Sequence, residues 1–176
     1  MKIDSFENAR IVCERRFLLE DFPAPLTRAD EHLQFFDNFL TKTDLLLRRI
    51  RVPQTRQWTR KIVKQSRIDA LKFKTSEIEL TEYEYEVLSI FEGNELRFNR
   101  YFHESDNQKW QIDFILNREL WNLILANIQF DSDEAAETFI APGFVGLEIT
   151  DDEFFANSNL ADSTLEDVKN RINQKS

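Results

Sequence analysis

Ile11-Val12-Cys13-Glu14-Arg15-Arg16-Phe17-Leu18-Leu19 alternates with a period of two. Ile11, Cys13, Arg15, Phe17 and Leu19 share one side, and Val12, Glu14, Arg16 and Leu18 share the other. The run predicts a β-strand with one mostly apolar face and one that bears charge. The same alternation recurs along the chain. Residues 45–52 predict a second strand, with Leu47, Arg49 and Arg51 on one face, Arg48, Ile50 and Val52 on the other, and Pro53 ending it. Residues 57–65 predict a third, with Trp58, Arg60, Ile62 and Lys64 together. Residues 68–80 read as one or two extended stretches. Residues 96–102, 110–116, 123–130 and 145–150 complete the set, and Ser105-Asp106-Asn107 reads as a hairpin turn.

Helices are few. Thr81 and Glu84 form a T-x-x-E capping box that opens a helix over residues 81–91, with Gly93 just past its end. Asp131 or Ser132 can cap a short helix running to Phe139, and Ser163 with Glu166 predicts a C-terminal helix over 163–173. Residues 29–40 read as a helix or an irregular excursion, because Leu33, Phe36 and Phe39 or Leu40 have roughly helical spacing. Strands do not alternate with helices as a parallel sheet requires, and no linker marks a second domain. The expectation is one domain over 1–176, all-β dominated (α+β). Its architecture is a closed antiparallel eight-stranded barrel, tunnel-like, with a few peripheral helices, because closure removes open sheet edges.

The chain of 176 residues is 41% hydrophobic and 31% charged, which suits a globular domain rather than a disordered one. Three Gly and no GxxxxGK or GxGxxG exclude a glycine-rich phosphate loop. One Cys, Cys13, excludes an internal disulfide or a cysteine-rich zinc site. The N-terminal MKIDSFENAR has no apolar stretch of signal-peptide kind, and no run approaches a membrane span, so a cytoplasmic protein is expected. The net charge of −9 argues against general nucleic-acid binding. Charge is unevenly spread, however: residues 45–74 hold ten basic residues and one acid, a local +9 that leaves −18 elsewhere. That run is either a solvated basic face or an anion site. In a barrel, inward charges form a buried cluster that needs a compensating ion, and arginine is suited to phosphate.

The order of motifs resembles the CYTH, or triphosphate tunnel, family from about Val12 to Ala161. Residues 12–19 resemble its opening ExExK-F-L-V strand. Leu47-Arg48-Arg49-Ile50-Arg51 resembles its R-x-R, and Ile62-Val63-Lys64-Gln65 its T-x-K-Q. Residues 80–88 resemble the L-[ST]-x-x-E-Y-x-x-L helix. Residues 96–101 resemble L-R-K-T-R-Y, and residues 110–114 resemble W-x-I-D-x-F. Residues 123–130 resemble G-L-x-L-A-E-V-E-F. Pro142 through Thr150, and then residues 155–161, resemble the closing P-x-[WF]-[LV]-G-x-E-[VI]-T and Y-x-N-x-x-L-A segments.

The resemblance implies an eight-stranded tunnel for triphosphate ligands and, in many members, Mg²⁺- or Mn²⁺-dependent hydrolysis. It implies phosphate-binding roles for Arg16, Arg49, Arg51, Lys64 and Arg100, and metal-ligand roles for Glu14, Asp113 and Glu148. The departures bear on the metal. Val12 replaces the first Glu of ExExK, Asn127 and Gln129 replace both glutamates of E-V-E-F, and Phe98 replaces a lysine. Amides contribute oxygen without charge. The leading expectation is therefore a divergent member that binds tripolyphosphate, a nucleotide or another oligophosphate with weakened or lost hydrolysis. The alternative is an active Mg/Mn triphosphatase with rearranged ligands, Glu77 or Glu79 assisting; a cyclase of class IV type fits less well. A third reading is a scaffold whose tunnel is plugged by Trp58 and Phe98.

Overall fold

The computed structural model describes residues 9–175; the stretch over residues 1–8, where no signal peptide is expected, lies outside them. Eight strands, β1 (Ala9–Leu19), β2 (His32–Leu40), β3 (Leu45–Val52), β4 (Gln57–Arg67), β5 (Lys72–Glu79), β6 (Gly93–Ser105), β7 (Gln108–Ile115) and β8 (Ile124–Phe130), close into a barrel. The order is β1-β5-β4-β3-β2-β6-β7-β8, and each neighbouring pair is antiparallel. β1 closes the barrel by pairing twice. Its first half meets β5, from Ala9↔Ser76 to Cys13↔Lys72, and its second half meets β8, from Cys13↔Phe130 to Leu19↔Ile124. Four short helices, α1 (Glu82–Leu88), α2 (Asp133–Thr138), α3 (Asn157–Leu160) and α4 (Leu165–Lys175), lie at the periphery. Among the described residues no helix is long and apolar enough to cross a membrane.

Local chemistry explains most elements. Asp106 and Asn107 both have positive φ (52° and 59°), which gives a two-residue turn whose twist matches the β6–β7 hairpin. Thr81 and Glu84 close the capping box at the start of α1. Ser132, rather than Asp131, caps α2, its hydroxyl accepting from the Ala135 N–H.

Four expectations change. Residues 32–40 form β2, not a helix: apolar side chains at Phe35, Phe36 and Phe39 satisfy either period, and hydrogen bonding to β3 and β6 on both sides selects the extended form. Residues 145–150 contribute one bridge, Phe17↔Glu148, instead of a strand. They cover the edge of β1 that β5 leaves free, with Gly146 N–H donating to Leu18 O and Ile149 N–H to Arg16 O. The cap of α4 is Thr164 with Asp167, one residue beyond Ser163 and Glu166, the Thr164 hydroxyl accepting from the Asp167 N–H.

Gly93 starts β6 instead of ending α1, whose C-cap is Ser89. A Cβ there would lie 2.4 Å from Asn38 Oδ1 and 2.5 Å from Phe39 O, a backbone atom. Gly93→Ala should therefore cost about 1–3 kcal/mol by overpacking, read as a lower Tm in thermal denaturation. An unchanged Tm would refute the close approach of β2 and β6.

The barrel builds two cores. Outward side chains Phe17, Tyr101, Trp110, Ile112, Phe114 and Ile128 pack under Phe22, Phe139 and Phe144 from the connecting segments. Inward side chains Leu18, Phe35, Leu96, Phe98, Ile115 and Leu125 pack with Ile149, Phe155, Leu160 and Val168 from the C-terminal segment, which fills part of the lumen. The remainder of the lumen is polar.

Candidate functional site

The polar lumen is a cavity of about 300 Å³. Alternate residues reach it: Val12, Glu14 and Arg16 from β1, Gln111 and Asp113 from β7, Asn127 and Gln129 from β8, Arg100 from β6 and Arg48 from β3. The β4–β5 turn and residues 149–158 complete the wall.

The cavity is not a ring of free cations. Six basic side chains face five acidic ones, so its charge is nearly balanced. Arg100 grips Asp113 through two bonds of 2.7 Å each. Arg48 grips Asp37, which is fully buried, through Nε at 2.7 Å and a second bond from Nη2. Lys61 Nζ lies 2.6 Å from Glu77 Oε2. Burial alone would depress the Arg100 and Arg48 pKa values, but Asp113 and Asp37 beside them outweigh it and raise both. Burial also opposes ionisation of Glu77, yet the hydrogen bond and charge of Lys61 hold its carboxyl below the usual range.

Arg16 differs. Its Nη1 donates to the Phe155 carbonyl at 2.9 Å and its Nη2 to Asn157 Oδ1 at 2.8 Å, both neutral acceptors. Burial lowers its pKa against the raising influence of Glu14 and Asp113. Glu14 is pushed up by burial, with Arg16 and Arg100 opposing. Arg67 likewise meets neutral carbonyls, those of Asp69, Ala70 and Thr150 at 3.0–3.1 Å.

Comparison with known proteins finds similar chains. The inorganic triphosphatase of Nitrosomonas europaea is 29% identical over 150 residues, spanning 84% of this chain and 95% of that protein. The crystal structure of the hypothetical protein NE1496 has a TM-score of 0.59 at 25% identity, covering 87% of this chain and 99% of that one. The crystal structure of the inorganic triphosphatase NE1496 scores 0.58 at 24% identity, covering 85% and 93%. No family model matches the chain. The ordered motifs lie on a closed eight-stranded tunnel with a triphosphatase relative. The chain is similar to this triphosphatase in sequence and shares the barrel fold of NE1496.

Within the tunnel the residues singled out from the motifs divide. Arg16, Arg100, Glu14 and Asp113 meet in the lumen. Arg49, Arg51 and Lys64 do not, because they alternate out of phase with the lumen-facing Arg48 and Gln65. Arg49 lies over the rings of Phe36, Trp58 and Tyr85 at 5.3–5.6 Å on the outer wall, Arg51 reaches Trp58 at 5.8 Å, and Lys64 is exposed. Arg48 and Lys61 take the inward places. Thr59-Arg60-Lys61 carries the T-x-K order three residues before Lys64, and that was the signal available for Lys61. Glu148 also stands outside, its two oxygens held by Arg15 Nε and Nη2 at 2.7 and 2.6 Å. The Arg15 hydrogen bond draws its pKa down. Phe98 stacks on Phe35 inside the barrel (4.9 Å, 9°), whereas Trp58 is 40% exposed on the outer wall and plugs nothing.

Val12, Asn127 and Gln129, the three positions at which the motif resemblance expects a carboxylate, all border the cavity. The two amides now donate to the acids that remain: Gln129 Nε2 to Glu14 Oε2 at 3.3 Å, and Asn127 Nδ2 to Asp113 Oδ2 at 3.0 Å. Among the described residues no three of His, Cys, Asp or Glu converge as a metal site. With Asp113 held by Arg100 and Asn127, and Glu14 beside an amide, the donor set does not fit a resident dication.

Proposed function

We propose that the tunnel binds an oligophosphate anion, tripolyphosphate or a nucleotide, and that metal-dependent hydrolysis is weakened or lost. The observation that carries this reading is a lumen arginine, Arg16, whose guanidinium hydrogen bonds go to neutral acceptors, together with amides where the family motif has carboxylates. A guanidinium facing a buried cavity attracts phosphate oxygens. A volume of about 300 Å³ suits a small ligand. Phosphoryl transfer depends on positioned charge around the phosphates, and the amides leave this wall without it. The partner is a phosphate-rich small molecule, and any Mg²⁺ or Mn²⁺ would come with it; the location that goes with this reading is the cytoplasm.

Calorimetric titration with tripolyphosphate, with and without EDTA, tests the reading. Binding heat that EDTA does not abolish is expected, together with phosphate release close to background in Mg²⁺ or Mn²⁺. No heat in either condition would sink it. The similarity to an inorganic triphosphatase favours a second reading, an active hydrolase. Metal-stimulated phosphate release that Glu14→Gln removes would establish that one instead.

A further inference from the structure

Asn127 is 3% exposed on β8, and both groups beside its amide are acceptors: Asp113 Oδ2 at 3.0 Å and the Gln111 carbonyl at 3.4 Å. The NH2 must face them, since the reverse would set a carbonyl against a carboxylate. Asn127 Oδ1 is thereby left buried without a partner. Directly opposite in the β1–β8 register stands Arg16, whose Nε–H is also buried and unpartnered. Thr75 Oγ1, 2% exposed on the cavity wall, is a third such atom. Folded proteins leave few buried polar atoms unsatisfied, and a cluster of them marks a place for something else.

An unpartnered donor and an unpartnered acceptor on register-paired residues complement a group that both accepts and donates. A phosphate carrying one proton is such a group: a P–O⁻ oxygen accepts from Arg16 Nε–H, and the P–O–H donates to Asn127 Oδ1. A fully deprotonated oxyanion would set its lone pairs against that carbonyl oxygen, which is costly where water is excluded. A dication is the other natural neighbour of Oδ1, but the adjacent carboxylates are already engaged. Resting on the reading of a phosphate site, the geometry points to a cavity that selects the monoprotonated form of its ligand, with Asn127 as the residue that detects the proton. The ligand class is orthophosphate or the protonated terminal phosphate of a longer chain.

Tetrahedral oxyanions of similar size separate the cases. Near neutral pH, orthophosphate and arsenate always carry at least one proton, whereas sulfate and selenate carry none. Calorimetry on the full chain in EDTA, with tripolyphosphate alongside, should show phosphate and arsenate binding about 10–100-fold tighter than sulfate and selenate. Asn127→Leu should bring phosphate down to the level of sulfate. If that variant fails to fold, the four anions on the unaltered protein decide. Equal binding of sulfate and phosphate, beside retained tripolyphosphate binding, overturns the inference and leaves the phosphate reading standing. Discrimination that appears only with added Mg²⁺ also overturns it. Absence of heat from every anion, tripolyphosphate included, overturns both.

Discussion

Asp37→Leu is expected to destabilise the protein by about 3–5 kcal/mol, because it strands the Arg48 guanidinium inside the barrel. Asp37 is fully buried, and the Arg48 side chain is only 13% exposed. Two hydrogen bonds join them, and Arg48 also lies over the Phe35 ring at 5.2 Å. A buried pair of this kind contributes little over a hydrophobic pair of the same shape, but half of it alone is an uncompensated charge. For a chain of this size the loss corresponds to a fall in Tm of roughly 6–20 °C. The double variant Asp37→Leu/Arg48→Met should recover most of that fall, since it removes both charges. A single variant that melts within about 2 °C of the parent would mean that water reaches Arg48, and that the pair is not buried as the strand register places it.

Arg16→Leu should weaken tripolyphosphate binding by about 10–150-fold, the value of charge-assisted hydrogen bonds to a buried guanidinium. Arg49→Leu and Lys64→Ala should leave binding unchanged, since Arg49 packs on outer-wall rings and Lys64 is exposed. Calorimetry on the three variants, with circular dichroism to confirm folding, reads the difference directly. Loss of binding in the Arg49 or Lys64 variant, with Arg16→Leu unaffected, would place the anion on the outer wall and refute the lumen site. The choice between these arginines is a choice of strand face, and shifting β3 or β4 by one residue exchanges every side chain.

The strands with one apolar and one charged face were readable from alternation: β1, β3, β4 and the β6–β7 hairpin lie where the period of two puts them. The capping box of α1 was readable from its T-x-x-E spacing, and the replacements at Val12, Asn127 and Gln129 from the resemblance to the CYTH motifs. β2 was not, because Leu33, Phe36 and Phe39 fit helical spacing as well as a strand, and partners on both sides made the choice. The site was half legible. Arg16, Glu14, Arg100 and Asp113 were identified and meet in the lumen, whereas Arg49, Arg51, Lys64 and Glu148 do not. In β3 both phases of the alternation carry arginine, so composition offers no preference between Arg48 and Arg49.

Near-neighbour chemistry was sufficient to define β1, β3, β4, the β6–β7 hairpin and the cap of α1, whereas the carboxylates missing at Val12, Asn127 and Gln129 were marked by the resemblance to the CYTH motifs. The strands, the hairpin and the cap depend on side chains a few positions apart. Which face of each strand turns inward, and which acid each arginine grips, required the closed barrel. Arg100 finds Asp113 on the next strand, Arg16 reaches Phe155 and Asn157 from the C-terminal segment, and Arg48 finds Asp37 across the β2–β3 pair. Hydrogen-bond register and the need to compensate buried charge set these pairings, and both act between residues brought together only when the barrel closes.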